Sequence, residues 1–328
     1  MPAVSICIPA HNAARYLPQA IETALAQDFT DFELVVLDNA STDETREVCQ
    51  GYDDPRFRYE YEGTPGQSVA WNRCLELASG DYVILLHADD ELEPTFLTRG
   101  VHVLESNEDV ALVNCAVEHI DEYGTPLELQ RLFDGDVVDR DGTVLRRLLL
   151  DGCVINPAGV LVRRDAYDSV GGFTDQVVWG VDWHMWIRIA MHGPVAYVNE
   201  PLARYRHHTA SGTSGVMTSA RNGRDEQWAM DDVFRIAQER RRDLLSVRRL
   251  ARRGVADRTW WMAERMCQEG EMRAARAGLR KAVTLEPAFI TKPRSWALLA
   301  ATYFGYDWFQ RVQKRTGRQK PDRSTANR

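Results

Sequence analysis

Residues 83–94 read V-I-L-L-H-A-D-D-E-L-E-P, an apolar run that halts at two adjacent aspartates, Asp89 and Asp90. The run is short and rich in branched side chains, so it is predicted to be a buried strand and not a helix. A strand buried on both faces belongs to a parallel sheet covered by helices. In open sheets of that kind, ligands bind beyond the carboxyl ends of the strands. Both carboxylates therefore fall where a ligand would sit. Hard carboxylate oxygens there suit a divalent cation carrying a phosphate. An acidic turn that caps the next helix accounts for the same residues, and Asp90 alone would serve as that cap.

Two earlier runs end in the same way. Residues 4–9 (V-S-I-C-I-P) break at Pro9-Ala10-His11-Asn12 and lead into a helical stretch over 14–27. Residues 32–38 (F-E-L-V-V-L-D) end on Asp38-Asn39-Ala40-Ser41-Thr42-Asp43. Ser41 followed by Glu44 fits a capping box that opens a helix over 42–50. A fourth strand is expected over 56–61 and a helix over 67–78. Strands alternating with helices argue for an α/β sheet with crossovers. Three strands that end in His11 and Asn12, Asp38 and Asn39, and Asp89 and Asp90 point to one shared crevice.

The chain has 328 residues and 44% hydrophobic composition, enough for a large core and a second unit. Its formal net charge of −8 argues against general nucleic-acid binding. Cys7, Cys49, Cys74, Cys115, Cys153 and Cys267 are scattered without zinc or disulfide spacing. That usage suits a reducing, cytoplasmic setting. The chain enters a strand at once, so no signal peptide is expected. No stretch approaches the roughly 20 apolar residues needed to cross a bilayer.

Taken in order, the motifs resemble the family 2 glycosyltransferases. They are V-S-I-C-I-P-A-H-N, V-V-L-D-N-A-S-T-D-E-T and A-W-N-R-C-L-E-L-A-S-G-D-Y-V-I-L-L-H-A-D-D-E-L-E-P. V-G-G-F-T-D (170–175), V-D-W-H-M-W-I-R (181–188) and Y-R-H-H-T-A-S (205–211) follow. The resemblance implies a Rossmann-like A-type glycosyltransferase fold, α/β with a mainly parallel central sheet. It also implies a nucleotide-sugar donor, Mn²⁺ or Mg²⁺, and inversion at the anomeric carbon. The acceptor would be a hydroxyl of a glycan or lipid-linked glycan, in surface polysaccharide assembly by analogy.

Roles follow from the resemblance position by position. Pro9, Ala10, His11, Asn12 and Asp38 would hold the nucleobase and ribose. Asp38, as an acceptor-only group, suits a donor edge of the base. Asn39 would join them or shape the turn, and Asn72 would fix the loop beside the donor. His87-Ala88-Asp89 occupies the place of the metal-binding D-x-D motif, so Asp89 would bind the metal through the donor diphosphate. His87 replaces the first acidic residue and, with Ala88 and Asp90, neighbours the donor. His208 aligns with the histidine of the family's Y-R-x-H-x-x-S pattern, a metal or diphosphate contact, with His207 as the alternative. Trp71 stands where relatives often carry arginine, and either stacks there or packs in the core. Residues 209–215 (T-A-S-G-T-S-G) read as a lid over the donor or as a polar loop.

An inverting transfer needs a base for the acceptor hydroxyl and a counter-charge for the departing nucleotide diphosphate. The metal at Asp89 would supply the second. Asp182 is the candidate base, at the start of a predicted amphipathic helix over 182–191, where an N-cap is the alternative role. Val181 replaces the glutamate that often precedes this aspartate in relatives. Residues 154–164, Asn156, the Gly171-Gly172-Phe173 turn, and Trp179, Trp183 and Trp186 are expected on the acceptor side. Packing accounts equally well for Phe173 and for at least one of the tryptophans.

Residues 1–222 are expected to form the nucleotide-sugar-binding and catalytic domain, and 223–328 an α-helical extension with a basic tail. Residues 254–287 resemble one tetratricopeptide-like hairpin, below the roughly three repeats needed for a solenoid. Packing on the catalytic domain or on a partner is expected. Residues 296–320 are aromatic and then basic, which suits either peripheral contact with an anionic membrane or a docking helix with a disordered tail. Two other functions compete. A sugar-phosphate nucleotidyltransferase would carry a glycine-rich basic loop where this chain has Pro9-Ala10-His11-Asn12. A catalytically degenerate scaffold is favoured by His87, Val181 and Trp71, and opposed by Asp38, Asp89, Asp182 and His208.

Overall fold

The computed structural model describes residues 1–209, 221–308 and 311. In chain order the first half contains β1 (Val4–Ala10), α1 (Leu17–Leu25), β2 (Phe32–Asn39), α2 (Thr45–Gln50), β3 (Phe57–Glu62), α3 (Gln67–Leu77), β4 (Tyr82–Leu85), β5 (Glu91–Leu92), α4 (Phe96–Ser106) and β6 (Leu112–Ile120). Then come β7 (Pro126–Gln130), β8 (Val137–Asp139), α5 (Thr143–Leu150), β9 (Val160–Arg163), α6 (Arg164–Val170), α7 (Val181–His192) and β10 (Val195–Arg206). Four long α-helices follow: α8 (Asn222–Arg240), α9 (Arg248–Gln268), α10 (Met272–Leu285) and α11 (Pro293–Phe304).

The strands are apolar runs because both of their faces are buried. Ile6 and Ile8 of β1, Leu34 and Val36 of β2, and Ile84 of β4 pack into one core cluster. Their neighbours Cys7, Val35, Leu37, Val83 and Leu85 pack into the other. This is the alternation a strand imposes. α1 and α4 cover the first face, and α3, α5, α6 and α7 cover the second. α1 shows how a sequence selects its face: Leu17, Ala20, Ile21 and Ala24 are buried, and a proline stands in the first turn.

The sheet order is β3-β2-β1-β4-β9-β6-β10-β5, with β7 on β6 and β8 on β10. β3, β2, β1 and β4 are parallel neighbours, as are β6 and β10. β9 lies antiparallel between β4 and β6. The expected acceptor stretch 154–164 therefore divides. Val160, Leu161 and Val162 are core residues of a central strand, and only the part before them reaches the site. The capping box at Ser41 and Glu44 does not form. α2 starts at Thr45, whose amide donates to Asp43 Oδ1 at 3.1 Å, and the Ser41 hydroxyl accepts from the Asn12 amide instead.

The C-terminal helices share the main core. Val233 and Phe234 of α8, Val255 of α9 and Leu285 of α10 belong to the same cluster as Leu148 of α5 and Trp183 of α7. α9 approaches α5 so closely that a Cβ on Gly254 would collide with the Leu150 carbonyl. A smaller cluster, with Met262, Met266, Leu279 and Leu298, joins α9, α10 and α11. Among the described residues no helix is long and apolar enough to cross a membrane. α11 exposes Trp296, Tyr303 and Phe304. The basic part of the 296–320 stretch, save Arg311, and residues 210–215 of the expected lid lie outside the described residues.

Candidate active site

Three loops leave the carboxyl edge of β1, β2 and β4. The first two are laced together. His11 Nδ1 lies 2.7 Å from the Asn39 carbonyl, Thr42 N donates to Asn12 Oδ1 at 2.8 Å, and Ala13 N donates to Thr45 Oγ1 at 2.9 Å. Asn12 holds a left-handed backbone (φ 50°), a conformation asparagine tolerates better than most residues. Asn39 extends the lacing outward: its side chain donates to the Thr64 carbonyl and accepts from Gly66 N.

These loops open on a cavity of about 1030 Å³. Of the residues expected at the donor, Pro9, Ala10, His11, Asn12, Asn39, His87, Ala88, Asp89 and His208 line it, and so does Asp182. Three others stand behind the wall. Asp38 is 2% exposed, and its oxygens accept from Ser41 N and the Tyr59 hydroxyl, both at 2.9 Å. Burial and the Asp38 charge push the Tyr59 phenol upward, which keeps it a donor to that carboxylate. Asn72 clasps Phe173, accepting from its amide at 2.7 Å and donating to its carbonyl at 2.9 Å. It thus fixes the 171–173 turn, which packs behind the cavity and does not border it. Asp90 is 1% exposed and accepts from Arg206 N at 2.9 Å. The reason is common to all three: backbone amides and hydroxyls needing an acceptor or donor lie on the protein side of the loop.

His87, Asp89 and Asp90 bring one nitrogen and two carboxylates together, with candidate ligand atoms all within 4.8 Å of one another. Among the described residues Asp90 Oδ2 is buried with no hydrogen-bond partner. A buried acceptor left unsatisfied is costly, and a divalent ion in this set would satisfy it. Burial raises the Asp90 carboxyl well above its usual range, and the Asp89 charge adds to this. Burial acts upward on Asp89 too, but the His208 hydrogen bond and the His87 and His208 charges outweigh it and hold Asp89 low. His208 Nε2 lies 2.8 Å from Asp89 Oδ2. His207 turns away, with Nε2 at 2.7 Å from His119 Nδ1, so of the two histidines it is His208 that meets Asp89.

Arg206 organises this turn. Its guanidinium donates to the Asp89 carbonyl and pairs with Glu91. The sequence contained that signal, as the arginine of Y-R-H-H, but only the fold shows its target. Trp71 and His87 form a stacked pair, with centroids 5.5 Å apart and planes at 22°. Phe173 meets Trp71 edge-on at 4.9 Å. Trp71 is thus both core residue and cavity wall.

Asp182 is the second residue of α7, with Gly180 at the N-cap position in a left-handed turn (φ 73°). It is therefore not the N-cap. Burial raises its carboxyl above the usual aspartate range, opposed by backbone hydrogen bonding and the His87 charge. An upward shift suits a general base. Asn156, Ile155, Pro157, Trp179 and Trp183 border the same space, while Trp186 is core. Glu226 of α8 and Arg258 of α9 also line the cavity. No motif marked them, because they sit within helices whose charge pattern looks like an ordinary solvated face.

Residues 5–171 match the profile described as Glycosyl transferase family 2, over half of the chain. The chain belongs to glycosyl transferase family 2. It is a glycosyltransferase, built on the A-type fold. An uncharacterized glycosyltransferase of Rickettsia prowazekii is 27% identical over 221 residues, covering 66% of this chain and 67% of that one. The chondroitin synthase of Escherichia coli is 27% identical over 202 residues, 61% of this chain and 28% of that enzyme. Among solved structures, S. aureus TarS 1–349 in complex with UDP-GlcNAc superposes with a TM-score of 0.57 at 15% identity, over 88% of this chain and 91% of that one. The mannosyltransferase PcManGT of Pyrobaculum calidifontis, in complex with GDP-Man and Mn²⁺, gives 0.54 at 19% identity, over 92% and 79%. In this family 2 glycosyltransferase Asp89, beside His87 and Asp90, and the Asp182 carboxyl border one cavity.

Proposed function

We propose that this glycosyltransferase is a metal-dependent, inverting enzyme that moves a sugar from a nucleotide diphosphate donor to a hydroxyl of a glycan or lipid-linked glycan, in surface polysaccharide assembly. The observation that carries the reading is the single cavity bordered by both Asp89 and Asp182. Pro9, Ala10, His11, Asn12 and Asn39 shape the base and ribose wall, with Asp38 holding it from behind. His87, Asp89 and Asp90 would hold the divalent cation, with His208 against Asp89. Bound there, the cation supplies positive charge that offsets the negative charge of the diphosphate. A carboxylate-rich set with one imidazole suits Mn²⁺ at least as well as Mg²⁺, and the Mn²⁺ complex of PcManGT supports that choice.

Asp182 takes the proton of the acceptor hydroxyl as the hydroxyl oxygen attacks the anomeric carbon, and the bond from that carbon to the nucleotide diphosphate breaks, the diphosphate leaving with the electron pair. Tryptophans Trp179 and Trp183 give the acceptor sugar an apolar surface. Residues 1–222 supply the donor loops and Asp182, and the helices after them complete the acceptor wall. The exposed Trp296, Tyr303 and Phe304 support peripheral contact with a membrane bearing a lipid-linked acceptor. Calorimetry with UDP and GDP, with and without Mn²⁺, tests the donor half, and turnover of UDP-GlcNAc and GDP-mannose tests the chemistry. Metal-enhanced binding of one nucleotide with matching sugar release is expected. Binding indifferent to metal would overturn the metal-dependent reading.

A further inference from the structure

Two loops border the space around Asp182, and both are held from the C-terminal helices. The loop that leads into α7 hangs on α8: the amides of Val178 and Trp179 both donate to Asp225 Oδ2 at 3.0 Å. The Trp179 indole donates to Glu226 Oε1 at 3.3 Å. Glu226 in turn accepts from Arg258 Nε at 2.8 Å. Arg258 reaches the second loop, donating to the Leu150 carbonyl at 3.0 Å. Its side chain fills the space beside Gly152, which has φ 104° and would bring a Cβ to 3.0 Å from Arg258 Cδ. Its guanidinium also lies 5.2 Å from the ring centre of Trp183, the residue after Asp182.

We propose that Arg258 is a positioning residue for sugar transfer. Through Glu226 it ties the 178–182 segment to the 150–153 turn and so sets where the Asp182 carboxylate stands; this rests on the reading of Asp182 as the base. Arginine suits the task because its planar fork can serve several acceptors in fixed directions while its face covers an aromatic ring. Among the described residues Arg258 Nη2 is buried without a hydrogen-bond partner, an arrangement that costs stability. Cys153 Sγ, on the turn that Arg258 holds, lies 4.0 Å from Asp182 Oδ2, so a shift of that turn is felt at the carboxylate.

The test uses the full chain with Arg258→Met, Arg258→Lys, Glu226→Gln and Asp182→Asn. Hydrogen exchange is followed in peptides covering 150–154 and 178–182, beside UDP and GDP affinity with Mn²⁺ and cleavage of UDP-GlcNAc or GDP-mannose. Arg258→Met is expected to speed exchange in both segments, leave nucleotide affinity and donor KM unchanged, and lower kcat by about tenfold to a hundredfold. Arg258→Lys recovers part of that loss. Faster exchange confined to α9, or a parent-like kcat beside an inactive Asp182→Asn, overturns the proposal. A parent-like kcat for Asp182→Asn instead removes the base and leaves the loop linkage to the exchange data. If Arg258→Met does not fold, Glu226→Gln must still loosen 178–182, and unchanged exchange there is equally fatal.

Discussion

His208 Nε2 and Asp89 Oδ2, 119 residues apart in the chain, meet at 2.8 Å. The contact joins the end of β10 to the turn after β4, two strands that β9 and β6 separate in the sheet, at the charged end of the cavity. Asp89→Ala should therefore abolish metal-enhanced nucleotide binding. His208→Ala should weaken it by about tenfold, in the range of orienting partners around a metal. Calorimetric titration of UDP and GDP at fixed Mn²⁺ measures both, and parent-like affinity in Asp89→Ala would remove it from the cation site.

Asp182→Asn should retain nucleotide affinity and lose turnover by about 10²–10⁴-fold. The parent rate should fall as pH drops through the raised Asp182 value, giving an acid limb above the ordinary carboxylate range. That limb should be missing from the residual rate of the variant, measured at saturating Mn²⁺.

The same raised carboxyl has a stability consequence. A group whose folded value lies above its unfolded value adds stability below the unfolded value and loses it as pH rises through the folded one. Asp182→Asn should then melt above the parent at neutral pH, with a margin that grows as pH rises through the folded value. Melting curves across pH that coincide for both proteins would contradict the burial of this carboxylate.

Trp71→Ala removes a side chain wedged between His87 and Phe173. A loss of about 3–5 kcal/mol in denaturant unfolding is expected for a buried aromatic. His87→Ala leaves the tryptophan packed and should cost far less stability.

Asn72→Asp keeps the acceptor for Phe173 N but sets a carboxylate against the Phe173 carbonyl. Destabilisation of about 1–3 kcal/mol is expected from the lost donor, and Asn72→Ala should cost a similar amount. Chemical denaturation reads both, and a neutral Asn72→Asp would mean that the clasp is open in solution.

The donor half was legible because its strands are apolar runs that stop at polar residues, and register is set by those runs. β1, β2 and β4 emerged in order, with β4 ending at Leu85 and Asp89 in the turn beyond it. Which side of a loop a polar residue faces was not legible. Asp38, Asn72 and Asp90 looked like donor contacts, yet a backbone amide takes one oxygen of each aspartate, and the Phe173 backbone claims Asn72. Only the assembled loops decide between two acceptors' neighbours. β9 was hidden as well, because V-L-V-R (160–163) is too short to carry a periodicity of its own. Glu226 and Arg258 were beyond reach for another reason: nothing local distinguishes a charge that faces a cavity from one that faces water.

The apolar packing that runs from Leu148 and Trp183 into Val233, Phe234 and Val255 has a practical meaning for anyone cutting the gene. A fragment ended at residue 222 would lay bare a greasy flank of α5 and α7, and light scattering should find it clumping. Hybrid transferases made by trading tails would need to trade those two helices along with them.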